Sequence, residues 1–506
     1  MFSATRPANP PAIGARASGF PPRAACRLAT LALVVATLLA PIRSAAAFPE
    51  PPYLGPPEGF EAAETAHLRF FVAANSGTDA EAFALAYGDP AERAYDEIRA
   101  LLGVAPEGKL PITVYADDAA FGAAVARTSP PEAITAVAVG NGAAGTVAVA
   151  LGPLLASRSP IEAENALRHA IAHVLVGYVA SDRLPRGFAE GIAQYVERPL
   201  TARQARYAAL LQSANQRADL LSWSDLNRPQ APGGDPDLVA AHTYSIVAFL
   251  VDRHGLRRLR DFVTALPAEP DWRSAMRTVY DRSPTEIEDQ WRENLPRWTA
   301  GGWRTNLFAA FDLQPANDLL ATAHYAAAND ALERSLRLYT ELDDPARVAE
   351  VSALLRQGEI GIQAEALMGQ VQEALERHTY DRAQTLVAQA DGQFAQLPAT
   401  QRPAALLATY AALAADGLAA STTLEAAQRR SRRWADYPAA RADALAAGTT
   451  FARLGDEEMT QRTDGVLSEL DVRQRRLVLM LGALAALTIA WLVLWLWARG
   501  PPELTW

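Results

Sequence analysis

The stretch NALRHAIAHVLVGYVASDRLPRGFAEGIAQYVE, residues 165–197, decides how the central part of the chain folds. His169 and His173 are four residues apart in an apolar run with helical spacing, so their imidazoles share one helix face about one turn apart. Two ring nitrogens at that spacing can reach one tetrahedral zinc ion at ~2.0–2.1 Å. Glu190 follows in a second predicted helix, which begins near Pro185. Two His and one Glu form a ligand set of catalytic zinc, so these three residues are the predicted ligands.

Other polar residues near this pair are expected to have other roles. Asp182 is a rival ligand in a predicted loop, and Glu197 is predicted to be a solvated helix residue. His242 and His254 are interpreted as structural histidines. Two histidines four residues apart also occur as plain surface or capping residues, so a metal-free site stays open as the alternative.

The same stretch resembles the gluzincin family of zinc metallopeptidases, and specifically the peptidase MA-like domains of exported bacterial proteins. The family motif HExxH corresponds to HAIAH here, and the family's LPxWLAEGLAEY corresponds to LPRGFAEGIAQY. Residues 241–250 and 276–295 are similar to the helices that follow in that family. The resemblance covers roughly residues 67–297 and implies an α+β, zincin-like fold with a small mixed sheet and a helical lobe. It also implies that residues 145–151 form the edge strand that pairs with a substrate backbone.

The sequence departs from the family at Ala170, which occupies the position of the catalytic glutamate. In HExxH enzymes that glutamate is the general base for the zinc-bound water, and a positioned base typically contributes about 10²–10⁴-fold. Glu162 and Glu164 are expected to point elsewhere on the helix. The departure therefore implies severely reduced or absent peptidase activity, while the three candidate ligands remain, so zinc binding need not be lost. Tyr244 matches a tyrosine of the family and is a weaker candidate for an oxyanion donor, with core packing as the alternative.

Composition and charge exclude several functional classes. The chain has 506 residues, of which 50% are hydrophobic and 21% charged, which is ordinary for two or three globular domains. The formal net charge is −10, and residues 1–47 hold five Arg and no acid, which leaves −15 for the rest. A chain so acidic is not expected to bind nucleic acid. Cys26 is the only cysteine, and it lies in a segment expected to be removed, which excludes thiolate zinc sites and a cysteine nucleophile.

The N-terminal end of the chain contains an apolar run at residues 28–40, preceded by arginines and followed by small residues. This pattern predicts a secretory signal peptide, residues 1–47, with cleavage after Ala47. An uncleaved membrane anchor is the alternative.

Residues 477–498 contain no charged residue over 22 positions, which is long enough to span a ~30 Å hydrocarbon core. They predict one transmembrane helix, followed by a short tail, 499–506. With the signal peptide, this places the bulk of the chain outside the cytoplasmic membrane. Arg473, Arg475 and Arg476 oppose this orientation, because positive flanks favour the cytoplasmic side. We give the signal peptide more weight, since long domains cross the membrane largely regardless of charge.

The chain between these ends divides into three parts. A proline-rich spacer is predicted at 48–66, the peptidase MA-like domain at 67–300, and a helical region at 305–472. Strands are predicted at 68–72, 110–115 and 145–151. The helical region resembles tetratricopeptide (TPR)-like hairpins with an irregular period, and a plain bundle or stalk is the alternative.

The leading functional hypothesis is a membrane-anchored, catalytically impaired zinc metallopeptidase homologue that recognises a peptide or protein. One alternative is an active zinc-dependent peptidase that uses another base. Another is a structural protein whose helical region binds the partner.

Overall fold

The computed structural model describes residues 58–104, 108–125, 135–140, 145–228 and 235–500. The predicted signal peptide lies outside these residues, as does most of the short C-terminal tail. The described chain divides into two compact units. One unit ends at Leu184 and also takes in Val263–Trp272, and the other comprises Pro185–Phe262 and the chain from Arg273 onward. The predicted α+β class is confirmed, with a small mixed sheet followed by an all-helical region.

The first unit contains a five-stranded sheet. Its strands are Phe60–Glu64 (β1), Leu68–Ala73 (β2), Leu110–Tyr115 (β3), Ala136–Val139 (β4) and Thr146–Ala150 (β5). The spatial order is β1-β2-β3-β5-β4, with β2, β3 and β5 parallel and the two outer strands antiparallel to their neighbours. Most apolar side chains of the three central strands are buried, as expected for strands covered by helices. These central strands are the three that the sequence predicts.

The two outer strands change two expectations. Among the described residues β5 lies between β3 and β4, so the predicted edge position of residues 145–151 is wrong; β4 and β1 are the two edge strands. β1 lies within the stretch predicted as spacer, where Glu64 accepts hydrogen bonds from Lys109 at 2.6 Å and Arg69 at 2.7 Å. These bonds and the pairing with β2 give this polar segment a strand conformation that its sequence does not favour.

Four helices complete the N-terminal part of this unit. They are Ala80–Leu102 (α1), Asp118–Ala124 (α2), Leu151–Leu155 (α3) and Pro160–Ala180 (α4). α1 and α4 pack together, and Arg168 of α4 is fully buried between them. Its guanidinium donates to Glu97 of α1 at 2.5 Å and to Glu164 of α4 at 2.9 Å. A buried charge needs such partners, so this triad fixes α4 against α1.

Seven helices follow among the described residues between 186 and 300. They are Arg186–Tyr195 (α5), Thr201–Gln216 (α6), Trp223–Leu226 (α7), Pro236–His254 (α8), Leu256–Ala265 (α9), Trp272–Tyr280 (α10) and Pro284–Ala300 (α11). α5 packs against α8 at very short range: a Cβ on Gly191 would lie 2.4 Å from the carbonyl oxygen of Thr243. Only glycine permits this approach, so the helix pair is fixed by the sequence at this point.

The remaining helices form successive antiparallel hairpins. They are Gln314–Ala321 (α12), Tyr325–Glu341 (α13), Pro345–Glu376 (α14), Tyr380–Phe394 (α15), Ala404–Arg430 (α16), Tyr437–Leu454 (α17) and Glu457–Ala498 (α18). The turns before α13, α15 and α18 share one conformation, with left-handed φ of 59° at Ala323, 55° at His378 and 72° at Gly455. The helical region is confirmed, while its TPR-like character stays a prediction.

α18 runs without interruption from the last hairpin through the predicted span at 477–498. Its C-terminal part is apolar and exposed along its length, and the helix is long and apolar enough to cross a membrane. Trp491 and Trp495 stack near its end, with ring centroids 6.4 Å apart. α16 passes the same length and composition test, but it packs among the other helices through buried Ala414 and Leu424. The C-terminal helix is therefore the candidate anchor.

Candidate metal centre

Helix α4 holds the two predicted histidine ligands. The side chain of Ser159 caps its N-terminus by accepting from the Glu162 N–H at 3.3 Å, and Pro160 occupies the first turn. The helix ends at Ser181, which has a left-handed φ of 49°. Both ends are therefore defined, and the residues between them form an uninterrupted 21-residue helix. His169 and His173 lie in its middle, where both side chains are partly exposed.

The two imidazoles face each other through the same ring atom. The Nε2 atoms of His169 and His173 are 3.1 Å apart, and the ring planes meet at 63°. Two nitrogens bound to one tetrahedral zinc at ~2.0–2.1 Å would be about 3.3 Å apart. The observed separation is close to that value, so the pair fits a shared metal ion without rearrangement of the helix. One imidazole donating to the other would give the same distance in the absence of metal.

Ala170 is fully buried beside this pair. The carboxylates nearest to it along the helix have structural contacts. Glu164 accepts from the buried Arg168, and Glu162 accepts from the backbone N–H of Arg158 at 2.9 Å. Both carboxylates are thus engaged with arginine residues of their own surroundings.

Glu190 lies on α5, in the second compact unit. Its side chain is partly exposed, and the neighbouring glycines determine where the helix lies. A Cβ on Gly187 would lie 2.9 Å from the carbonyl oxygen of Leu226, and Gly191 contacts α8 as described above. Glu190 and the two histidines are candidate metal ligands by their chemistry.

The other acidic residues near the motif have structural roles. Asp182 lies in the turn after α4 with a φ of 54°, and its Oδ1 would be 3.0 Å from a Cβ on Gly177. Glu197 is 8% exposed and forms an ion pair with Arg203. The prediction that Glu197 is a solvated helix residue is wrong, because it lies beyond the end of α5 and its carboxylate is buried against the next helix.

Tyr244 is a core residue of the second unit. It is 3% exposed, and its hydroxyl accepts from Gln204 at 2.9 Å and contacts the Asn306 amide at 3.5 Å. Burial raises the pKa of Tyr244 to about 12, although the hydrogen bonds from the two amides oppose this. The contacts therefore support the packing alternative rather than a role in stabilising an oxyanion.

The remaining histidines of this region are also structural. His242 is buried, with Nδ1 2.8 Å from the carbonyl of Leu238 and Nε2 accepting from the N–H of Leu221 at 3.2 Å. Burial lowers the pKa of His242, and it also lowers the pKa of His254. His254 lies edge-on to Tyr280, with ring centroids 5.0 Å apart.

A second cluster of metal-ligand types, which the sequence gave no reason to expect, lies in the first unit. His67 Nδ1 is 2.8 Å from Glu92 and 3.8 Å from Asp96. Burial raises the pKa of Glu92, but hydrogen bonds from Thr65 and His67 outweigh it and hold that pKa below its usual value. Arg99 lies 3.3 Å from the other ring nitrogen of His67 and pairs with Asp96 at 2.9 Å. The guanidinium of Arg99 already supplies a positive charge beside the two carboxylates, where a metal ion would otherwise be needed. We therefore interpret this cluster as a structural contact that joins the β1–β2 turn to α1.

The central motif lies inside a segment that matches a known protein family. Residues 91–297 match the family model of the Peptidase MA superfamily. The match covers about two fifths of the chain and includes His169, His173 and Glu190. No curated protein and no solved structure matches the chain. The matched segment is therefore metallopeptidase-like, and zinc is the typical metal of such peptidases.

Proposed function

We propose that this protein is a membrane-anchored gluzincin-like homologue that binds one zinc ion through His169, His173 and Glu190 and has lost most or all peptidase activity. The observation that carries the proposal is the 3.1 Å separation of the two Nε2 atoms on a helix whose second motif position is Ala170. The superfamily match over residues 91–297 supports the same ligand set.

The proposed ligands and the residue at the position of the general base have different roles. The two imidazoles would supply neutral nitrogen ligands and Glu190 a charged oxygen, which leaves one position open in a tetrahedral site. When bound, zinc supplies Lewis-acid polarisation of a carbonyl or water. Ala170 cannot accept a proton, and Glu164 is already bonded to a buried arginine. The chain thus retains ligands for binding but lacks the base that turns binding into hydrolysis.

A peptide or protein is the proposed ligand of this domain. β4 is one of the two edge strands among the described residues, and it packs against α4, the helix that carries both histidines. An edge strand offers unpaired backbone N–H and C=O groups to an extended peptide. A peptide added along β4 would therefore run beside the histidine-bearing helix.

The cellular setting of this proposal comes from the two ends of the chain. We place α18 across the membrane through residues 477–498, with the domains outside the cytoplasm after removal of residues 1–47. The 22 uncharged residues support the anchor, and the apolar run at 28–40 supports export.

Metal analysis of the purified full-length chain tests the zinc proposal. We expect about one zinc per chain, and a fall to below roughly a tenth in His169→Ala, because a three-ligand site does not hold the ion with two. Glu190→Gln should also lower the zinc content. His324→Ala removes an exposed histidine from the helical region and serves as the matched control. A wild-type chain without zinc, or an equal loss in His324→Ala, would overturn the proposal.

A further inference from the structure

The segment RRSRRW, residues 429–434, comprises the last two residues of α16 and the first four of the connection to α17. We infer that this basic loop, together with Arg475 and Arg476, docks on the phosphate groups of anionic lipids in the membrane that α18 crosses. The inference rests on the anchor proposed above and is independent of the zinc proposal. It assigns a second membrane contact to the chain besides the span itself.

The loop lies beside the start of the apolar span. Arg473 of α18 donates to the carbonyl oxygen of Ser431 at 2.8 Å, and Arg441 of α17 pairs with Asp471 of α18. Arg473 is four residues before the apolar run that starts at 477, which is about 6 Å along a helix axis. At this distance the loop is level with the headgroup layer of a bilayer whose core begins at residue 477.

The loop and the helix flank carry positive charge that the protein does not neutralise. Arg430 pairs with Asp443, and Arg473 pairs with Glu469. Among the residues that the structure describes, four exposed arginines of this surface form no ion pair, namely Arg432, Arg433, Arg475 and Arg476. Because the rest of the mature chain is strongly acidic, this local excess of arginine is charge-complementary to lipid phosphates.

Trp434 completes the surface. It is 67% exposed, whereas Tyr325 and Phe394 of the other hairpins are buried. An exposed tryptophan next to arginines is typical of the membrane–water interface, where the ring enters the acyl boundary and the guanidinium groups remain among the phosphates. The combination of aromatic ring, free guanidinium groups and adjacent span indicates a lipid surface rather than a dissolved anion as the ligand.

The proposed lipid contact explains why arginines flank the span on the side that is expected to lie outside the cytoplasm. Arg473, Arg475 and Arg476 flank the span on the side where positive charge opposes export. Arg473 is engaged with the loop, and the other two extend the same basic surface. Their function on this side would be to hold the last hairpin on the membrane.

Site-directed spin labelling of the full-length chain in lipid nanodiscs tests the inference. Cys26 is the only cysteine, so Cys26→Ala with Ala435→Cys gives one label site next to Trp434. Its collision rate with a water-soluble nickel chelate should be at least about twofold lower in discs containing phosphatidylglycerol than in pure phosphatidylcholine, and this difference should disappear at high salt. A label at Glu458→Cys lies on α18 about 22 Å before Arg473, on the side away from the span. This label should be equally accessible in the two kinds of disc.

Paired charge variants separate docking from general electrostatics. Arg432→Gln with Arg433→Gln should abolish the lipid dependence at position 435. Arg382→Gln with Arg462→Gln removes two other exposed arginines, which form no ion pair among the described residues, and should preserve it. Equal accessibility in the two lipids, or a difference that persists in the loop variant, would overturn the inference. If the chain fails to enter phosphatidylcholine discs, the anchor itself fails, which is a distinct result from insertion without docking.

Discussion

The segment matched at residues 91–297 and the hairpins from 314 to 473 are both mostly helical, but they are held together differently. The matched segment buries polar groups in specific networks, such as Arg168 between two glutamates and Tyr244 between two amides. The hairpins instead pack aromatic rings on glycine. A Cβ on Gly361 would lie 2.4 Å from the Tyr325 ring, and one on Gly417 would lie 2.2 Å from the Tyr380 ring. The first region is thus held together by buried polar networks, whereas these hairpins depend on close approach of rings to small residues.

Ala170→Glu should give the largest change in the matched segment. It restores a carboxylate at the position of the general base, so zinc-dependent cleavage of a peptide library should rise about 10²–10⁴-fold. Quenched fluorescent peptides measure the rate, with and without a chelator.

Ala170→Gln is the control for this change, because it adds nearly the same volume at a fully buried position but cannot act as a base. Equal activity of the two variants, both loaded with zinc, would show that the site has lost more than its base. High activity of the unmodified chain would favour an active peptidase with another base.

Gly361→Ala and Gly417→Ala should have the next largest effect, confined to the hairpins. Each adds a methyl group that overlaps a tyrosine ring, so each should destabilise the region by about 1–3 kcal/mol. Hydrogen exchange of the α13–α16 amides measures this directly.

Gly369→Ala is the matched control on α14, since nothing lies within 4 Å of its Cβ position. It should be neutral or stabilise the helix by up to about 1 kcal/mol. Zinc content should be unchanged in all three glycine variants. A fall in zinc content would show that the two regions are not independent in the way their packing indicates.

Acid sensitivity should be the smallest effect, and it belongs to the matched segment. Burial lowers the pKa of His242 and of His254, so the folded state binds fewer protons than the unfolded state. Their contribution to stability is complete above the unfolded pKa of about 6.5 and is lost as pH falls through the folded values. Melting of the chelator-treated chain should therefore shift to lower temperature below about pH 6.5.

His242→Gln should weaken this pH dependence, because an amide oxygen can accept from the Leu221 N–H without a titrating group. His324→Ala, in the hairpins, should not alter it. A pH profile that is identical in wild type and His242→Gln would contradict the assignment.

The histidine pair could be predicted from the sequence because helix geometry fixes the relation between residues four apart. The central strands were also predictable, since they are apolar runs bounded by turn residues. The outer strands were not: β1 contains two glutamates, β4 has four residues, and both depend on pairing with a neighbour. Residues 145–151 were assigned to the sheet edge because the sequence did not predict β4. In the structure β4 pairs with the outer side of β5.

Contacts between side chains that are distant in sequence could not be predicted either. Glu197 is buried in an ion pair with Arg203, which lies on the following helix. No local sequence pattern predicts this pairing. The contacts of Tyr244 depend on Gln204 and Asn306, which are 40 and 62 residues away. Spacing within one helix was therefore informative, whereas tertiary hydrogen bonds were not.

The continuity of α18 has a mechanical consequence. The helix contains no proline and has no break between the hairpin with α17 and the apolar span. The 20 residues from Glu457 to the span form a lever about 30 Å long. A 10° change in tilt, of the kind that a thicker or thinner bilayer imposes, would move its far end by about 5 Å. With α18 across the membrane, as proposed above, bilayer thickness would be converted into a displacement of the turn that joins α17 to α18.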